Sequence, residues 1–403
     1  MAISKISANM IDGSLTSSLV TGSLPAVDGS ALTGAGSGID TETTSDPTIS
    51  TNPSATGHIW ENKTTGKLFI CTDATVGFNI WKNVGGGDGR VAKPFGGLGG
   101  GTLNGYVYGG EQGPSPATHY NTIEKYSFSS DGNGEDHADL SRQTMHSAGA
   151  SSATDGYAMA GFGLPPVPQY NKLVDKFSFS SDATASSHGT LTQNRYGLTG
   201  LHSSTHGYAA GGYGDGNPKT NIIDKIDFAS SGSGTDHGDL MAVSVYRSNN
   251  GACSDTHGFM AGGIEGADAT LIEKFPFASN SGSVDSLQDL SLSKSQMGHV
   301  SSTTHGYAVA GYAAGNYVTK IDKWGFGTST NATNVGDLTV GTHMPASSSS
   351  TTHGYVAAGS NHLVASAPLQ LKSIHKFSLT SDAAATDIGN IPTSRRYATG
   401  CHN

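Results

Sequence analysis

The chain has 403 residues, of which 57 are glycine, about twice the usual share, and only 13% are charged. This composition excludes long helices and predicts short strands separated by glycine turns, which makes an all-β protein the first expectation. The 22 basic against 32 acidic residues give a formal net charge of −10, which disfavours nucleic acid and anionic membrane surfaces as partners. Cys71, Cys253 and Cys401 are too few and too scattered to indicate a disulfide framework or a zinc site.

Residues 1–56 are rich in Ser, Thr, Gly, Ala and Asp and hold too few large apolar residues to bury a core of their own. We expect an extended segment that serves in attachment and oligomerisation. Residues 1–20 contain no run of seven apolar residues, so no secretory signal is predicted, and no segment is apolar enough to insert into a membrane. Residues 3–13 and 23–34 resemble the amino-terminal regions of bacteriophage tail-fibre and other virion appendage proteins, especially those of marine and cyanobacterial phages.

Residues 57–84 predict a small β module. Two strands around a Thr65-Gly66 turn, finished by Trp81, are expected here, and the segment is similar to one common in such fibres. Residues 85–94 begin with Gly85-Gly86-Gly87-Asp88-Gly89 and predict a glycine-rich hinge.

Residues 95–403 contain an internal repeat. A glycine followed by Tyr or Phe recurs at intervals of 51, 51, 51, 48 and 48 residues. The six glycines are Gly105, Gly156, Gly207, Gly258, Gly306 and Gly354. Each begins an apolar strand, which is preceded by a strand of small residues. It is followed by a third strand reading Ile or Val, acid, Lys, usually an aromatic residue, any residue, then Phe, and by a shorter fourth strand.

Six sheets of four short strands would each leave two apolar faces in water, so they must pack on one another. Radial packing into a six-bladed propeller covers both faces of every sheet, whereas an open solenoid normally has a shorter repeat and needs capping ends. The repeat resembles the kelch unit in its length and in the glycine doublets Gly109-Gly110, Gly211-Gly212 and Gly262-Gly263. The other three repeats have Ala-Gly, and the kelch tryptophan after the third strand is missing. The resemblance implies a kelch-like β-propeller over residues 95–403.

The C-terminus carries a first strand without a second strand after it. Residues 396–402 read like residues 195–202, and by the resemblance to kelch propellers they pair with the strand that begins near Gly105. Residues 95–98 compete for the same place.

Two repeated motifs have a structural interpretation. The acid-lysine pair of the third strand, such as Glu124-Lys125 or Asp322-Lys323, is expected to make charge contacts between blades because neighbouring strand residues face opposite ways. The four Thr-His-Gly motifs have Asn104-Gly105 and Asp155-Gly156 in the equivalent places. Because Asn, Asp and His are all enriched at positive φ, the histidines are interpreted as residues of hairpin turns and not as metal ligands. No catalytic motif, metal site or cofactor is predicted.

The connections between second and third strands vary most in length, and variable loops on a rigid scaffold are where recognition usually resides. They carry a set of aromatic and amide side chains suited to sugars, although ordinary loop composition would also explain them. The candidate receptor-binding residues are Tyr120, Asn121, Tyr170, Asn171, Tyr213, Asn217, Asn316 and Tyr317.

The resemblance to virion appendages implies a function without catalysis. We expect a phage structural protein assembled in the host cytoplasm and located on the virion. It would form a homotrimer, join other tail or capsid proteins through its N-terminus, and bind a host surface glycan or protein through the propeller loops. Multivalent contact would then raise a weak affinity. A capsid decoration or purely architectural fibre protein is the alternative, and a polysaccharide-degrading enzyme is a third hypothesis.

Overall fold

The computed structural model describes residues 39–64, 67–84, 103–113, 117–164, 169–241, 250–264, 268–361 and 369–403. All regular elements within these ranges are strands, which confirms the predicted all-β class. Over the same ranges there is no helix long and apolar enough to cross a membrane. The chain divides into two compact units, residues 1–91 and 92–403.

In the first unit, residues 39–64 and 67–84 form one four-stranded sheet. Its strands, in hydrogen-bonding order, are Thr41–Thr43, Ile59–Asn62, Lys67–Asp73 and Ile80–Asn83. The first pair is parallel and the other two are antiparallel. Trp81 is buried with Phe69 and Cys71. The sheet includes residues 41–43 and so begins before the predicted boundary at residue 57. The predicted turn at residues 65–66 and the hinge at residues 85–94 lie outside the described residues.

The described residues of the second unit form six antiparallel sheets with the same four-strand order, named here sheets I to VI. Sheet I consists of Thr399–His402, Asn104–Tyr108, Thr122–Ser127 and Glu135–Asp139; sheet II of Ala148–Ser151, Asp155–Gly163, Tyr170–Ser178 and Ser186–Tyr196; sheet III of Thr199–His202, His206–Ala210, Ile222–Asp227 and Thr235–Asp239. Sheet IV consists of Ala252–Cys253, His257–Ala261, Leu271–Pro276 and Val284–Asp289; sheet V of Gly298–Ser301, His305–Val309, Lys320–Gly325 and Thr333–Asp337; sheet VI of Ala346–Ser349, His353–Ala357, Ser373–Ser378 and Thr386–Asn390.

Shorter strands extend sheet II or form separate two-stranded ribbons. Sheet II also includes Thr144–Met145, Tyr213–Gly214 and Gly232–Ser233. Three two-stranded ribbons occupy connections between second and third strands: Glu111–Gln112 with Thr118–His119, Tyr312–Ala313 with Asn316–Tyr317, and Ser360–Asn361 with Leu369–Gln370.

The first strand of sheet I comes from the C-terminus. Thr399 pairs with Tyr108 and His402 with Gly105, which confirms the pairing predicted for the last strand of the chain. The competing residues 95–98 lie outside the described residues.

The repeated glycine of the second strand gives space to the third strand. A Cβ on Gly156 would stand well inside 3.0 Å of the Phe177 ring, and one on Gly306 equally close to the Trp324 ring. The prediction of positive φ at these His-Gly and Asp-Gly pairs is wrong, because neither residue of any pair has it and the His or Asp already belongs to the second strand.

Positive φ occurs instead at a doublet that directly follows the second strand in five sheets and interrupts the longer second strand Asp155–Gly163 in sheet II. All six doublets have it at both residues: Gly109-Gly110, Ala160-Gly161, Gly211-Gly212, Gly262-Gly263, Ala310-Gly311 and Ala358-Gly359. Alanine occurs only in the first place. The three alanines have φ of 56–62°, close to the left-handed helical minimum. The second place has φ of 88–113° and always holds glycine, since side chains are disfavoured there.

Aromatic stacking joins each sheet to the next. An aromatic residue of the second strand stacks on the aromatic residue that directly follows the third strand of the neighbouring sheet. The stacks, with ring-centroid distances, are Tyr106–Phe179 (4.8 Å), Tyr157–Phe228 (4.5 Å), Tyr208–Phe277 (4.9 Å), Phe259–Phe326 (4.6 Å) and Tyr355–Phe128 (4.5 Å). Between sheets V and VI, the Tyr307 hydroxyl donates to the Leu379 carbonyl at 3.2 Å. The last stack joins sheet VI to sheet I.

The first strands also contact one another in order. Hydrogen bonds run from Cys253 N to Ser301 Oγ (2.8 Å), Ser301 N to Ser349 Oγ (3.0 Å), Ser349 N to His402 Nδ1 (3.3 Å), His402 N to Ser151 Oγ (3.2 Å) and Gly251 N to Gly200 O (2.6 Å). Between sheets II and III, a Cβ on Gly200 would collide with the Gly149 backbone. The small residues of the first strands therefore allow direct backbone approach between sheets.

Candidate ligand-binding face

A buried ion pair supports the base of several connections between second and third strands. Arg195, which lies just before the first strand of sheet III, is fully buried and contacts Asp224 at 2.7 Å. Its guanidinium also donates to the carbonyls of Gly211 and Ile222, both at 2.8 Å, where the connection leaves and rejoins the sheet. Equivalent pairs are Arg142–Asp175, Lys294–Asp322 and Arg395–Glu124. Charged pairs that are hydrogen-bonded in this way hold the loop ends in one geometry.

The acid-lysine pairs predicted from the sequence therefore split into two roles. Four of the acids turn inward to these buried cations, which sequence analysis missed; they are Glu124, Asp175, Asp224 and Asp322. Lys323 contacts a neighbouring sheet as expected, through Asp382 at 2.9 Å, whereas Lys125 and Lys176 contact acids of their own sheets. In the sixth repeat, where His375 replaces the acid, Lys376 contacts Asp131 of sheet I at 2.8 Å. The signal for the cations was the Arg or Lys that precedes four of the first strands.

Three tyrosines form a stack on the connection side of sheets II and III. The Tyr170 and Tyr196 rings lie 5.0 Å apart and 8° from parallel, and Tyr196 and Tyr213 lie 5.2 Å apart. The hydroxyls of Tyr170 and Tyr196 both donate to Asn217 Oδ1, at 3.3 and 3.1 Å. Asn217 is exposed, and the three rings are half-buried. The structure thus brings the predicted residues Tyr170, Tyr213 and Asn217 together.

A second aromatic group lies on the connections of sheets V, VI and I. Tyr317 stacks on His343 at 4.5 Å, and His343 meets the edge of Tyr397 at 6.3 Å. The Arg396 guanidinium lies over the Tyr397 ring at 4.6 Å and contacts Glu111 at 2.7 Å. The guanidinium that lies over the Tyr397 ring is therefore paired with a carboxylate.

His146 joins the two groups. Its ring stacks on Tyr397 at 4.2 Å and meets Tyr196 at 6.1 Å. Burial, with Arg396 and His343 nearby, lowers the pKa of His146 to about 3. The imidazole is therefore neutral at physiological pH and serves as an aromatic plate. We call the continuous set Tyr170, Tyr196, Tyr213, His146, Tyr397, His343 and Tyr317 the aromatic belt.

The other predicted site residues differ in their accessibility. Tyr120 lies under Arg395 at 5.0 Å and donates to Gln112 Oε1 at 2.6 Å, apart from the belt. Asn316 is exposed on its ribbon, and its amide donates to the Ala314 carbonyl.

Two predicted asparagines have structural roles in this fold. Asn171 is only 1% exposed, and its amide donates to the Gly161 carbonyl at 2.9 Å. Asn121 donates to the Leu140 carbonyl at 3.4 Å. Asn171 is thus a correction to the predicted surface role, because a buried amide satisfied by backbone does not reach a ligand.

The belt residues that sequence analysis missed are Tyr196, His146, His343 and Tyr397. These residues precede first strands. The sequence prediction rests on the connections between second and third strands, so it does not include them. Their signal is a tyrosine or histidine two or three positions before a first strand.

The four repeated histidines belong to a serine turn at the opposite end of the second strands. Ser203 Oγ accepts the backbone N–H of Thr205 and His206, and the same contacts recur from Ser254, Ser302 and Ser350. Each imidazole bonds through Nδ1 to the preceding Thr hydroxyl at 2.7–2.8 Å. Burial lowers the pKa of all four. Among the described residues no group of three or more His, Cys, Asp or Glu is arranged to hold a metal ion.

A polar cavity of about 30 Å³ lies among the first strands. His202 and His402 line it with their rings 5.8 Å apart, together with Asn250, His299 and several serines. This volume is enough for about one or two water molecules and too small for an organic ligand. The belt is therefore the stronger candidate for recognition.

No protein-family model matches the chain, and no curated protein matches it at a significant level.

Proposed function

We propose that sheets I to VI are the blades of a closed, six-bladed, kelch-like β-propeller. The support comes from the contacts of sheet VI with sheet I, which repeat those between the other neighbours. Tyr355 stacks on Phe128, and Ser349 N donates to His402. Ring closure of this kind leaves no sheet face uncovered.

We further propose that the protein is a receptor-binding appendage of a phage virion and that the aromatic belt adheres to a host surface glycan. The stack of Tyr170, Tyr196 and Tyr213 under the exposed Asn217 carries this proposal. Sugars present apolar C–H faces and a rim of hydroxyls, so half-buried tyrosines beside an oriented amide suit both parts. The buried Arg195–Asp224 pair holds this face rigid before binding, which reduces the entropy lost on association.

The location on a virion and the trimeric state are proposed from the resemblance of residues 3–13 and 23–34 to phage appendages. Sedimentation of the full chain tests the trimer, because a monomer has a mass of 41.1 kDa. A monomer at micromolar concentration would contradict it.

A glycan array of bacterial surface polysaccharides tests the adhesive function. We expect the full chain to bind a defined glycan, Tyr170→Ala to weaken binding at least about tenfold, and Tyr170→Phe to keep most of it because the ring remains. Asp131→Asn, far from the belt at the Lys376 contact, is the matched control and should bind like the wild type.

Adsorption assays separate the alternatives. Antibody against the propeller blocks phage adsorption if this function is correct, and leaves adsorption unchanged if the protein is a capsid decoration or an architectural fibre. Release of oligosaccharide from the bound polysaccharide would indicate the enzyme instead.

A further inference from the structure

A second set of left-handed residues lies two positions before the first strands. Its members, with φ values, are His146 (56°), Gly197 (67°), Gln296 (58°), Met344 (50°) and Tyr397 (59°). They precede the first strands of sheets II, III, V, VI and I. Counted back from the repeated glycine of the second strand, the equivalent residue of sheet IV is Ser248, which lies outside the described residues.

Backbone hydrogen bonds from sheet to sheet explain the shared conformation. His146 N donates to the Tyr397 carbonyl at 3.1 Å, and Gly197 N donates to the His146 carbonyl at 3.0 Å. Met344 N donates likewise to the Gln296 carbonyl at 2.7 Å. These three hydrogen bonds involve all five residues, so we attribute the shared conformation to the contact between sheets and not to the side chain that each residue carries.

Glycine is the residue that adopts this conformation without strain, and Gly197 demonstrates that the position accepts it. Four of the five described members nevertheless carry a large side chain, and no two of the four are alike. The doublets that follow or interrupt the second strands behave differently, because their left-handed first residue is always Gly or Ala. A left-handed backbone is strained for residues with large side chains. Because four such residues nevertheless occupy equivalent positions, we infer that their side chains are kept for the contacts they make.

Two of the four side chains are accessible, and both residues lie at the belt. Tyr397 is a member, and the Gln296 carbonyl accepts the N–H of Met344, the residue after His343. Tyr397 and Gln296 are half-buried, whereas His146 and Met344 are each only 6% exposed and lie beneath. Tyr397 is held between the His146 ring at 4.2 Å and the Arg396 guanidinium at 4.6 Å. Its faces are covered, so its ring edge and hydroxyl are what it presents.

We propose that Gln296 and Tyr397 form the specificity subsite for the glycan, binding one uncharged saccharide residue per chain; this rests on the adhesive function proposed above. The amide and the phenol supply hydrogen bonds to sugar hydroxyls. The Arg396 charge is neutralised by Glu111, which disfavours an acidic sugar. The left-handed residues before the first strands differ from one another. An asymmetric sugar would therefore bind in a single orientation, whereas six identical residues would allow six equivalent orientations.

Glycine substitution tests the subsite with an internal reference. The variants are Gln296→Gly and Tyr397→Gly, and the matched controls are Ala310→Gly and Ala358→Gly, which relieve left-handed strain away from the belt. We expect Gln296→Gly and both controls to melt at or about 1–3 °C above the wild type. Affinity for the glycan found on the array should fall at least about tenfold in the two subsite variants and stay within about twofold in the controls. Titration calorimetry should give one glycan per chain.

The outcomes separate this inference from the proposed function. If the wild type binds a glycan and Gln296→Gly binds it equally well, or if several glycans bind per chain, the subsite is overturned and adhesion stands. A fall in melting temperature of more than about 3 °C for Gln296→Gly would show that the side chain is kept for folding, which also overturns the subsite. If the wild type binds no glycan, the adhesive function fails and the subsite fails with it.

Discussion

The first strands and the aromatic belt use equivalent positions in opposite ways. At the ends of the first strands the residues are small or repeated, and one type of backbone-to-side-chain contact recurs from Cys253 to Ser301, Ser349 and His402. In the belt, equivalent positions hold unlike residues, such as His146 and Tyr397. We infer that the repeated residues of the first strands maintain the packing of the sheets, and that the unlike residues of the belt are available for recognition. The comparison predicts that stability depends on the first strands and binding on the belt.

Removing the C-terminal strand is the strongest test of the first region. Deletion of residues 399–403 removes the pairing with Asn104–Tyr108 and the contacts of His402 with Ser151 and Ser349. It also exposes the apolar residues beside Cys401. We expect the melting temperature to fall by more than about 10 °C, measured by calorimetry. An unchanged melting curve would contradict a role for this strand in holding sheets VI, I and II together.

Arg195→Met removes the buried cation that supports the belt and leaves the aromatic residues of the belt unchanged. The variant leaves Asp224 buried without its cation, and we expect the free energy of unfolding in urea to fall by about 3–5 kcal/mol. Arg195→Lys is the matched control, because sheet V already uses Lys294 with Asp322 in the equivalent place. A lysine variant as unstable as the methionine variant would show that the guanidinium bonds to Gly211 and Ile222 matter more than the charge.

Acid should weaken the packing between the first strands. Burial lowers the pKa of His202 to about 4 and that of His402 to about 3, from 6.5. Between these values and 6.5 the unfolded chain binds more protons than the folded chain. Stability is therefore fully present above about pH 6.5 and is lost as pH falls toward 4. We expect a loss of at least about 2 kcal/mol between pH 7.5 and 4.5 in urea unfolding.

The double variant His202→Asn, His402→Asn is the control for that pH dependence. It should flatten the decline in stability, leaving the contribution of His146 and the turn histidines. A double variant with the same slope as the wild type would assign the pH dependence to residues outside the cavity.

The predictability of each region from sequence follows from the same contrast. The strand order within each repeat and the pairing of residues 396–402 were predictable because the pattern recurs. The reason for each repeated glycine was not predictable. A side chain there would collide with an aromatic ring of the third strand, such as Phe177 or Trp324, and this contact is not local in sequence. The cation partners of the acids were missed for a related reason: Arg195 and Asp224 are 29 residues apart and meet only in the folded sheet.

The candidate site was predictable in part. Tyr170, Tyr213 and Asn217 were found from loop composition and lie together. Tyr196 lies between the two tyrosines in space but at the end of a fourth strand in sequence, so loop composition could not include it. Asn171 was included because composition does not distinguish an exposed amide from one bonded to the backbone.

Two tyrosines five residues apart provide the finest comparison. Tyr208 is 1% exposed and stacks on Phe277 of the next sheet, whereas Tyr213 is half-buried at the end of the belt. Tyr208→Ala should lower the free energy of unfolding by about 3–5 kcal/mol, because it empties a packed site between sheets. Tyr213→Ala should lower it by less than about 1 kcal/mol while reducing glycan affinity. Equal costs in urea unfolding would mean that the belt is part of the packing between sheets and that its aromatic rings need no ligand to explain them.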